Sequence, residues 1–530
     1  MINTANKPLL VIAHDVGTSG TKTILISISD KIEIVSSHLT EYGILYPEGI
    51  KNGAEQVAND WWQAICDGTK KVLESAEIAP ESINVITFST QSQCSLFVDD
   101  KGDPLDNPYI MIDGRAVKEF EAGMRDGLIK ISGYNLFKTA RYLRITGGAP
   151  GSAKDPLWKY AWFKNNRPEQ FKKLYKMLDC KDYLIFKCTG KFYCTGDSAS
   201  TVWLFDSRKG RMNWHQGLCK QAGVSIEHLP EIKLSSEIAG PLLPEAAREM
   251  GLIPGIPVNM GGIDATCLPV GSGAVELNDS HIYVGTSGWV VTIVDKRISN
   301  IQNYEGSIVS AMPGHYFFIG LEQTSGGCLA WAKDHLADLE IAEAERQGIS
   351  PYTLLDEMAS QSPPGANGLI FMPWMYGNRA PREDTRARGD FFNLSMNNGR
   401  RDMFRAILEG IAMHSRWIIE GFHKSRVPIT EPIRFVGGGA SSTLWCQIMA
   451  DVLQKQIQPV RYAKDSGAIG AAIIAAVGLN SITFKEAKGL IPVLDVIQPR
   501  KELAPIYDKH YSVFRRYYDR NKDFYKQLND

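Results

Sequence analysis

The sequence has almost no charge imbalance, no closely paired cysteines and no long hydrophobic run. Its 530 residues carry 58 Lys and Arg against 59 Asp and Glu, so net charge gives no support for binding to nucleic acid or to an anionic membrane. The nine cysteines form no CxxC pair, which disfavours a disulfide framework or a zinc site. The longest apolar stretches, 281–294 and 466–479, are too short and glycine-rich to span a bilayer. Residues 1–15 lack the features of a signal peptide, and we expect a soluble, cytoplasmic protein.

The glycine turns in the chain are neither Walker A loops nor GxGxxG loops. Instead the pentapeptide VGTSG occurs twice, at Val16–Gly20 and Val284–Gly288, each time between two strand-like segments. Glycine and hydroxyl residues let backbone N–H groups converge on an anion, usually a phosphate. Most single glycine turns only reverse the chain. Two such turns, one in each half, predict a duplicated domain whose turns hold a polyphosphate across a cleft.

The residues of these turns are the candidates for phosphate binding. They are Gly17, Thr18, Ser19 and Thr21 in the first turn, and Gly285, Thr286 and Ser287 in the second. Lys22 is a secondary candidate that could face either phosphate or solvent.

A third glycine cluster, Gly437, Gly438 and Gly439, stands where a strand is predicted to meet a helix. Without side chains, its backbone could approach a flat adenine closely, with Ser441 beside it. A plain tight turn would need the same glycines. The following helix is predicted to be capped by Ser441 or Ser442.

Two carboxylates are candidates for chemistry. Asp264 follows a strand and two glycines in an apolar neighbourhood, where a carboxylate is costly without partners. It could take the proton of an alcohol during phosphoryl transfer, or it could be a helix N-cap; the local pattern favours neither. Asp15 ends the first strand and could hold Mg²⁺ through water, or it could only initiate the turn.

The chain is long enough for two or more domains. Prolines and glycines at 251–257 mark the best boundary, which gives an N-terminal domain of residues 1–256 and a C-terminal domain of residues 257–530. The spacing of apolar residues predicts an amphipathic helix over 402–424. Tyr316–Glu322 is predicted to be the strand after the second hairpin. Aromatic and basic residues alternate near the C-terminus, and we expect a helix packed on the body there rather than a nucleic-acid surface.

Taken together, these motifs resemble the FGGY family of carbohydrate kinases over nearly the whole chain. The matching segments are DVGTSGTK (15–22), PLWKYAWFKNN (156–166), GDFFNLSMNNGRRDMFRAILEG (389–410) and GGGASSTLWCQIMADVLQKQIQPV (437–460) followed by GAIGAA (467–472). The resemblance implies an α/β protein with two duplicated actin-like (ribonuclease H-like) domains that close over ATP, Mg²⁺ and a sugar or polyol. It implies that Asp264 is the general base, with Asp264 and Asp15 near the metal. It also implies that the Gly438 region covers adenine.

The resemblance is nearest to the xylulose kinase-like members of the family. It implies a sugar site formed by Gln91, Ser92, Gln93, Asp113, Arg115 and Asp264. Five positions depart from the xylulose kinase pattern, namely Ser92, Gln93, Met111, Ala265 and Asn378. Ser92-Gln93 in place of Arg-Glu also disfavours glycerol. A buried polyol site discriminates strongly when its hydrogen-bonding groups change.

These features predict an ATP-dependent kinase for the terminal hydroxyl of a ketopentose or a similar small polyol, such as D-xylulose. Residues 353–365 also resemble a segment of autoinducer-2 kinases, so that substrate stays open. Family members are often dimers, which allows a homodimer here. The alternative from another class is an ATP-switched binding protein of the actin or Hsp70 type.

Overall fold

The computed structural model describes residues 7–131 and 133–529. The strands are β1 Leu9–Val16, β2 Gly20–Ile28, β3 Ile32–Glu41, β4 Val85–Thr90, β5 Leu96–Val98, β6 Lys130–Ile131, β7 Tyr134–Asn135, β8 Lys176–Leu178, β9 Tyr193–Thr195, β10 Phe205–Asp206, β11 Asn213–Trp214, β12 Glu231–Lys233, β13 Ile238–Pro241, β14 Pro257–Asn259, β15 Gly262–Ile263, β16 Ser280–Val284, β17 Gly288–Val294, β18 Ser299–Asn300, β19 Glu305–Val309, β20 Tyr316–Glu322, β21 Ile370–Met372, β22 Asp390–Phe392, β23 Ile433–Val436 and β24 Ile457–Pro459.

The α-helices connect and cover these strands. They are α1 Ala58–Ala76, α2 Val117–Phe120, α3 Leu136–Thr146, α4 Pro156–Asn166, α5 Pro168–Phe171, α6 Cys180–Thr189, α7 Gly196–Thr201, α8 Gln216–Ala222, α9 Pro244–Met250, α10 Asp264–Ser272, α11 Gly326–Leu336, α12 Asp338–Gln347, α13 Pro351–Ser360, α14 Arg400–Lys424, α15 Thr443–Leu453, α16 Ser466–Gly478, α17 Phe484–Leu490 and α18 Ala504–Asn529.

Both VGTSG segments are the tips of antiparallel hairpins, as the sequence predicts. In the first hairpin, β1 pairs with β2 and Val16 lies opposite Thr21. In the second, β16 pairs with β17 and Val284 lies opposite Gly288. The apolar runs before each turn are buried on both faces of their sheets, which explains why these strands read as continuous hydrophobic segments.

The two sheets share one topology. The first runs β13-β14-β4-β1-β2-β3, and the second contains the order β24-β23-β16-β17-β20. In each sheet, a third antiparallel strand pairs with the second strand of the hairpin: β3 with β2, and β20 with β17. On the other side of the hairpin, a parallel strand pairs with its first strand: β4 with β1, and β23 with β16. This repeat is the duplicated actin-like α/β architecture that the resemblance implies.

The first sheet extends past the predicted domain boundary. Strand β14 pairs with β4 and with β13, and β15 also pairs with β4. A division after Ile256 would therefore separate both strands from the sheet that they complete. We place the boundary between the two domains within α10, the helix that follows β15. Prolines and glycines before β14 form the turn into a strand rather than a linker.

Helix α10 crosses α16 between the two sheets, and the crossing depends on glycine. A Cβ at Gly271 would lie 1.8 Å from the carbonyl oxygen of Ser466, and one at Gly470 would lie 1.9 Å from that of Cys267. The helices therefore touch backbone to backbone. Since α16 also packs on β1 and β4, this crossing fixes Asp264, at the start of α10, against the first sheet.

The helices predicted from periodicity are present. The segment 402–424 lies within α14, and the last helix, α18, packs on the body through buried Tyr507, Phe514, Tyr518 and Tyr525. Tyr316–Glu322 is strand β20, beside β17. All nine cysteines are free and buried. Within residues 7–131 and 133–529, no helix has the length and apolar character needed to cross a membrane.

Candidate active site

The first VGTSG turn is held by side chains from outside the hairpin. The N–H of Gly17 donates to the carbonyl of Gly20 over 2.9 Å. Gln56 Nε2 donates to the carbonyl of Thr18 over 2.7 Å, and the Tyr42 hydroxyl donates to that of Gly17 over 2.8 Å. These contacts use the carbonyl oxygens of the turn. Among the described residues, the N–H groups of Thr18 and Ser19 have no hydrogen-bond partner, so they are free to bind an anion.

The second turn has the same arrangement. The N–H of Gly285 donates to the carbonyl of Ser287 over 3.0 Å, while the carbonyl of Thr286 accepts bonds from the N–H groups of Ser325 and Gly327. The N–H groups of Thr286 and Ser287 find no partner in the part of the chain that the structure describes. Each turn therefore presents adjacent unpaired donors, the geometry that phosphate oxygens require.

Lys22 forms an ion pair. Its ammonium bonds to the carboxylate of Asp465, the residue before α16, and the two side chains are 34% and 15% exposed. The pair links β2 of the first hairpin to a helix that arrives from the far end of the chain. This contact favours a role in holding α16 over direct phosphate binding.

The third glycine cluster lies directly beneath the second turn. A Cβ at Gly437 would lie 2.4 Å from the carbonyl oxygen of Val284, and one at Gly439 would lie 2.8 Å from its side chain. Close packing on β16 therefore requires these two glycines. Gly438 is exposed and uncrowded, and so is the neighbouring Ser441. The helix cap is Ser442, whose hydroxyl accepts the N–H of Trp445, which leaves Gly438 and Ser441 as the positions open to a ligand.

Asp264 is the first residue of α10, and the N-cap is Ile263. The carboxylate of Asp264 accepts the N–H of Ala265 over 2.6 Å. The pKa of Asp264 is raised to about 7: burial is the main cause, the backbone bond to Ala265 lowers the pKa, and the charges of Asp15 and Asp197 raise it. A carboxyl group with a pKa near 7 suits a general base at neutral pH. Asp264 therefore lies one position past the N-cap, and its carboxylate accepts an N–H of the first helical turn.

Asp15 faces the start of α16 at the end of β1. Its carboxylate accepts the hydroxyl of Ser89 over 2.7 Å, and a Cβ at Gly467 would lie 3.0 Å from it. Burial is the main cause that raises the pKa of Asp15; the Ser89 bond lowers it, and the charge of Asp465 raises it. Asp15 and Asp264, at the ends of strands in the same sheet, therefore repel each other.

A divalent cation would suit these two carboxylates by charge. It would relieve their mutual repulsion, and Mg²⁺ in particular is usually held by one or two carboxylates together with waters and substrate phosphates. The described residues contain no group of three or more His, Cys, Asp or Glu side chains that could hold a metal by itself. A site completed by phosphate oxygens agrees with both observations.

The predicted sugar-binding residues begin where β4 ends. Gln91 is buried, and its amide donates to Gln56 Oε1 over 2.8 Å, so it joins this segment to the first turn. Gln93 has a left-handed backbone, with φ of 61°. Its N–H donates to Asp179 and its carbonyl accepts Lys159 Nζ. The side chains of Ser92 and Gln93 are half-buried, and the described residues offer neither a hydrogen bond.

Asp113 and Arg115 form a buried ion pair. Both carboxylate oxygens of Asp113 accept bonds from Arg115, and one also accepts the N–H of Ala54 over 2.6 Å. The guanidinium also bonds to Glu55 over 2.6 Å and stacks over Tyr109 at 3.7 Å. The pair therefore ties the loop before α1 to the predicted sugar-binding segment at 113–115. Of the three guanidinium nitrogens of Arg115, Nη1 alone is buried without a partner among the described residues.

Sequence reasoning missed several residues that shape the site. Asp197, at the start of α7, accepts the N–H of Ile263 over 2.9 Å and so positions the residue before Asp264. Asp179 caps α6 and fixes Gln93. Gln56 supports the first turn. Asp197 follows a single glycine, which is a weak signal, and Asp179 and Gln56 have no comparable signal in the sequence.

Comparison with known proteins agrees with this geometry. Residues 10–271 match the N-terminal domain of the FGGY family of carbohydrate kinases, and residues 281–479 match its C-terminal domain. The chain belongs to the FGGY family of carbohydrate kinases. It is therefore a sugar phosphotransferase.

Individual relatives carry two different substrate names. A gluconokinase from Bacillus subtilis (strain 168) is 28% identical over 525 residues, covering 97% of this chain and 98% of the relative. A xylulose kinase from Staphylococcus xylosus is 27% identical over 517 residues, covering 96% and 99%. The crystal structure of a gluconate kinase from Lactobacillus acidophilus has a TM-score of 0.84 at 24% identity, covering 98% of this chain and 100% of that one; at this identity it shows a shared fold.

Proposed function

We propose that this kinase transfers the terminal phosphoryl group of ATP to a terminal hydroxyl of a ketopentose or related small polyol, with D-xylulose as the reference substrate. The observation that supports it most is the pair of VGTSG turns with unpaired N–H groups, each at the same place in a duplicated sheet. A buried carboxylate with a pKa near 7 starts the helix between the two sheets.

Each part of the site has a distinct task. The N–H groups of Thr18, Ser19, Thr286 and Ser287 hold phosphate oxygens. Asp264 accepts the proton of the sugar hydroxyl as the hydroxyl oxygen attacks. Asp15 and Asp264 are the carboxylates that would hold Mg²⁺, which supplies charge neutralisation for the phosphates when bound. Gly438 and Ser441 lie on the adenosine side.

The sugar side is divided between contact and support. The half-buried side chains of Ser92 and Gln93 have no hydrogen-bond partner among the described residues, so we assign the substrate hydroxyls to them. Gln91, Asp113 and Arg115 have protein partners for most of their polar atoms, so they orient the sugar by fixing the wall of its site. Because relatives named gluconokinase and xylulose kinase are about equally similar, gluconate is the second candidate. Autoinducer-2 remains a third.

A substrate panel tests the proposal. Formation of ADP by the purified protein is measured with D-xylulose, gluconate, autoinducer-2, glycerol and no added acceptor. We expect turnover with one of the first three and little without acceptor, because domain closure on the sugar excludes water. ATP turnover that is the same with every acceptor would contradict the proposal and would favour the ATP-switched binding protein.

A further inference from the structure

Tyr283 is a residue of β16 to which the sequence assigns no role. Its ring stacks on Trp289, directly opposite in the second hairpin, with centroids 4.2 Å apart and planes at 25°. The Trp289 indole N–H in turn donates to His281 Nε2 over 3.0 Å, and His281 is fully buried. The phenol ring is therefore held in place at the base of the second VGTSG turn.

The hydroxyl of Tyr283 lies against Gly285, within that turn. A Cβ at Gly285 would lie 2.1 Å from the Tyr283 oxygen. The backbone at Gly285 is not in the left-handed region, so any residue could adopt its conformation. It is the phenol oxygen that requires glycine here. On its other edge, the ring lies 3.0 Å from the position of a Cβ at Gly437, so the phenol fills the space between the turn and the third glycine cluster.

This hydroxyl is a neutral donor without an acceptor. Burial, together with the charges of Asp264 and Asp15, raises the pKa of Tyr283 to about 12, so the phenol keeps its proton at neutral pH. Those two carboxylates belong to the proposed base and metal site. Across residues 7–131 and 133–529, no atom accepts a hydrogen bond from the Tyr283 oxygen. That oxygen is not fully buried.

We propose that the Tyr283 hydroxyl donates a hydrogen bond to a terminal phosphate oxygen of the nucleotide during transfer, which makes Tyr283 a further catalytic residue. The inference rests on the proposed function, since it needs phosphates at the second turn. In the transition state, surrounding hydrogen-bond donors stabilise the negative charge on the phosphate oxygens. A neutral donor that is already held in place does so without having to move. The phenol keeps its proton throughout, so Asp264 alone takes the proton of the sugar hydroxyl.

The test is Tyr283→Phe, which removes the oxygen and keeps the ring that stacks on Trp289. With the sugar that the wild type phosphorylates, we expect kcat to fall by about 10- to 100-fold, while the KM for sugar and the Tm stay within error. Tyr352→Phe, on the partly exposed surface of α13, is the matched control and should behave as the wild type. A kcat for Tyr283→Phe within about twofold of the wild type would overturn the proposal.

A binding measurement separates this proposal from a folding defect and from failure of the proposed function. Tyr283→Phe should bind ADP as the wild type does, but should bind ADP with aluminium fluoride, which mimics the transferred phosphoryl group, about 10-fold or more weakly. Equal weakening of both ligands, or of neither, would overturn the role of the hydroxyl. A wild type that phosphorylates no sugar contradicts the proposed function instead, and the aluminium fluoride comparison then decides the role of Tyr283 by itself.

Discussion

Gly271 and Gly470 face each other's helices where α10 crosses α16, and neither position has room for a methyl group. This backbone contact joins the helix that begins with the proposed base to the helix that begins beside Asp15. The geometry of the proposed base and of Asp15 therefore depends on two residues that carry no chemistry themselves.

Gly470→Ala should separate the two helices. Overpacking of this kind costs about 1–3 kcal/mol in the free energy of unfolding, and we expect a loss of kcat because Asp264 moves with α10. Urea denaturation and steady-state kinetics measure both effects. Gly489→Ala, in the exposed α17 where nothing lies within 4 Å of the added carbon, is the control and should be neutral or slightly stabilising. If Gly470→Ala and Gly489→Ala had the same stability and kcat, the helix crossing would not determine the position of Asp264.

Lys22 and Asp465 should behave as one unit. Lys22→Met and Asp465→Asn are each expected to lower the free energy of unfolding by up to about 1 kcal/mol, and the double variant by no more than either alone. The KM for ATP should change little in all three. A KM for ATP that rises tenfold or more in Lys22→Met alone would show that the ammonium contacts phosphate.

Glu322 should make stability depend on pH. It is 2% exposed beside Ser415, and burial raises its pKa from 4.5 to about 7. Between these values the unfolded chain has released the proton while the folded chain keeps it, so stability falls as the pH rises through this window. Glu322→Gln cannot ionise. Between pH 5 and pH 8, its free energy of unfolding should therefore rise relative to that of the wild type by on the order of 1–3 kcal/mol.

Denaturant unfolding at several pH values checks this, with Glu357→Gln on the exposed face of α13 as the control. A constant difference between Glu322→Gln and the wild type across the range would show that Glu322 does not stay protonated in the folded state.

Arg297 should hold the two halves of the molecule together. Its guanidinium donates to the carbonyls of Ile145 and Arg144, at the end of α3, over 2.5 and 2.6 Å, and to the hydroxyl of Ser207 over 2.9 Å. Arg297→Met leaves these partly buried acceptors unpaired, at a cost of about 1–3 kcal/mol. We expect the KM for sugar to rise about 3- to 10-fold, because the two halves that close over the sugar are then less firmly joined.

Lys296→Met changes the exposed neighbour and is the control for this variant. If Arg297→Met kept the stability and the KM of Lys296→Met, the contacts across the two halves would have no influence on the site.

How far the sequence predicts this molecule depends on whether the signal is local. The two hairpins, α14 and the last helix follow from patterns within a few residues. Asp264 stands out because a carboxylate interrupts an apolar segment. The boundary predicted near residue 256 rests on Pro254 and Gly255, which lie at a turn into β14, and only pairing with β4 assigns that strand to the first sheet.

The remaining parts of the site depend on long-range contacts that no local pattern contains. The partner of Lys22 lies 443 positions away, and Gln56 reaches the first turn from the loop before α1. The glycines at 437 and 439 suggest a ligand in the sequence, yet the structure uses them to pack against Val284. The role of Gly285 becomes visible only once the oxygen of Tyr283 is placed beside it.

The central claim is that Asp264 is the base of a phosphoryl transfer held between two matching turns. The most direct measurement is the kcat for sugar phosphorylation by Asp264→Asn, together with its affinity for ATP, with the exposed Asp495→Asn as the control. The account predicts that Asp264→Asn still binds ATP within a few-fold of the wild type, while kcat falls by about 10²–10⁴-fold. A kcat close to that of the wild type would contradict it.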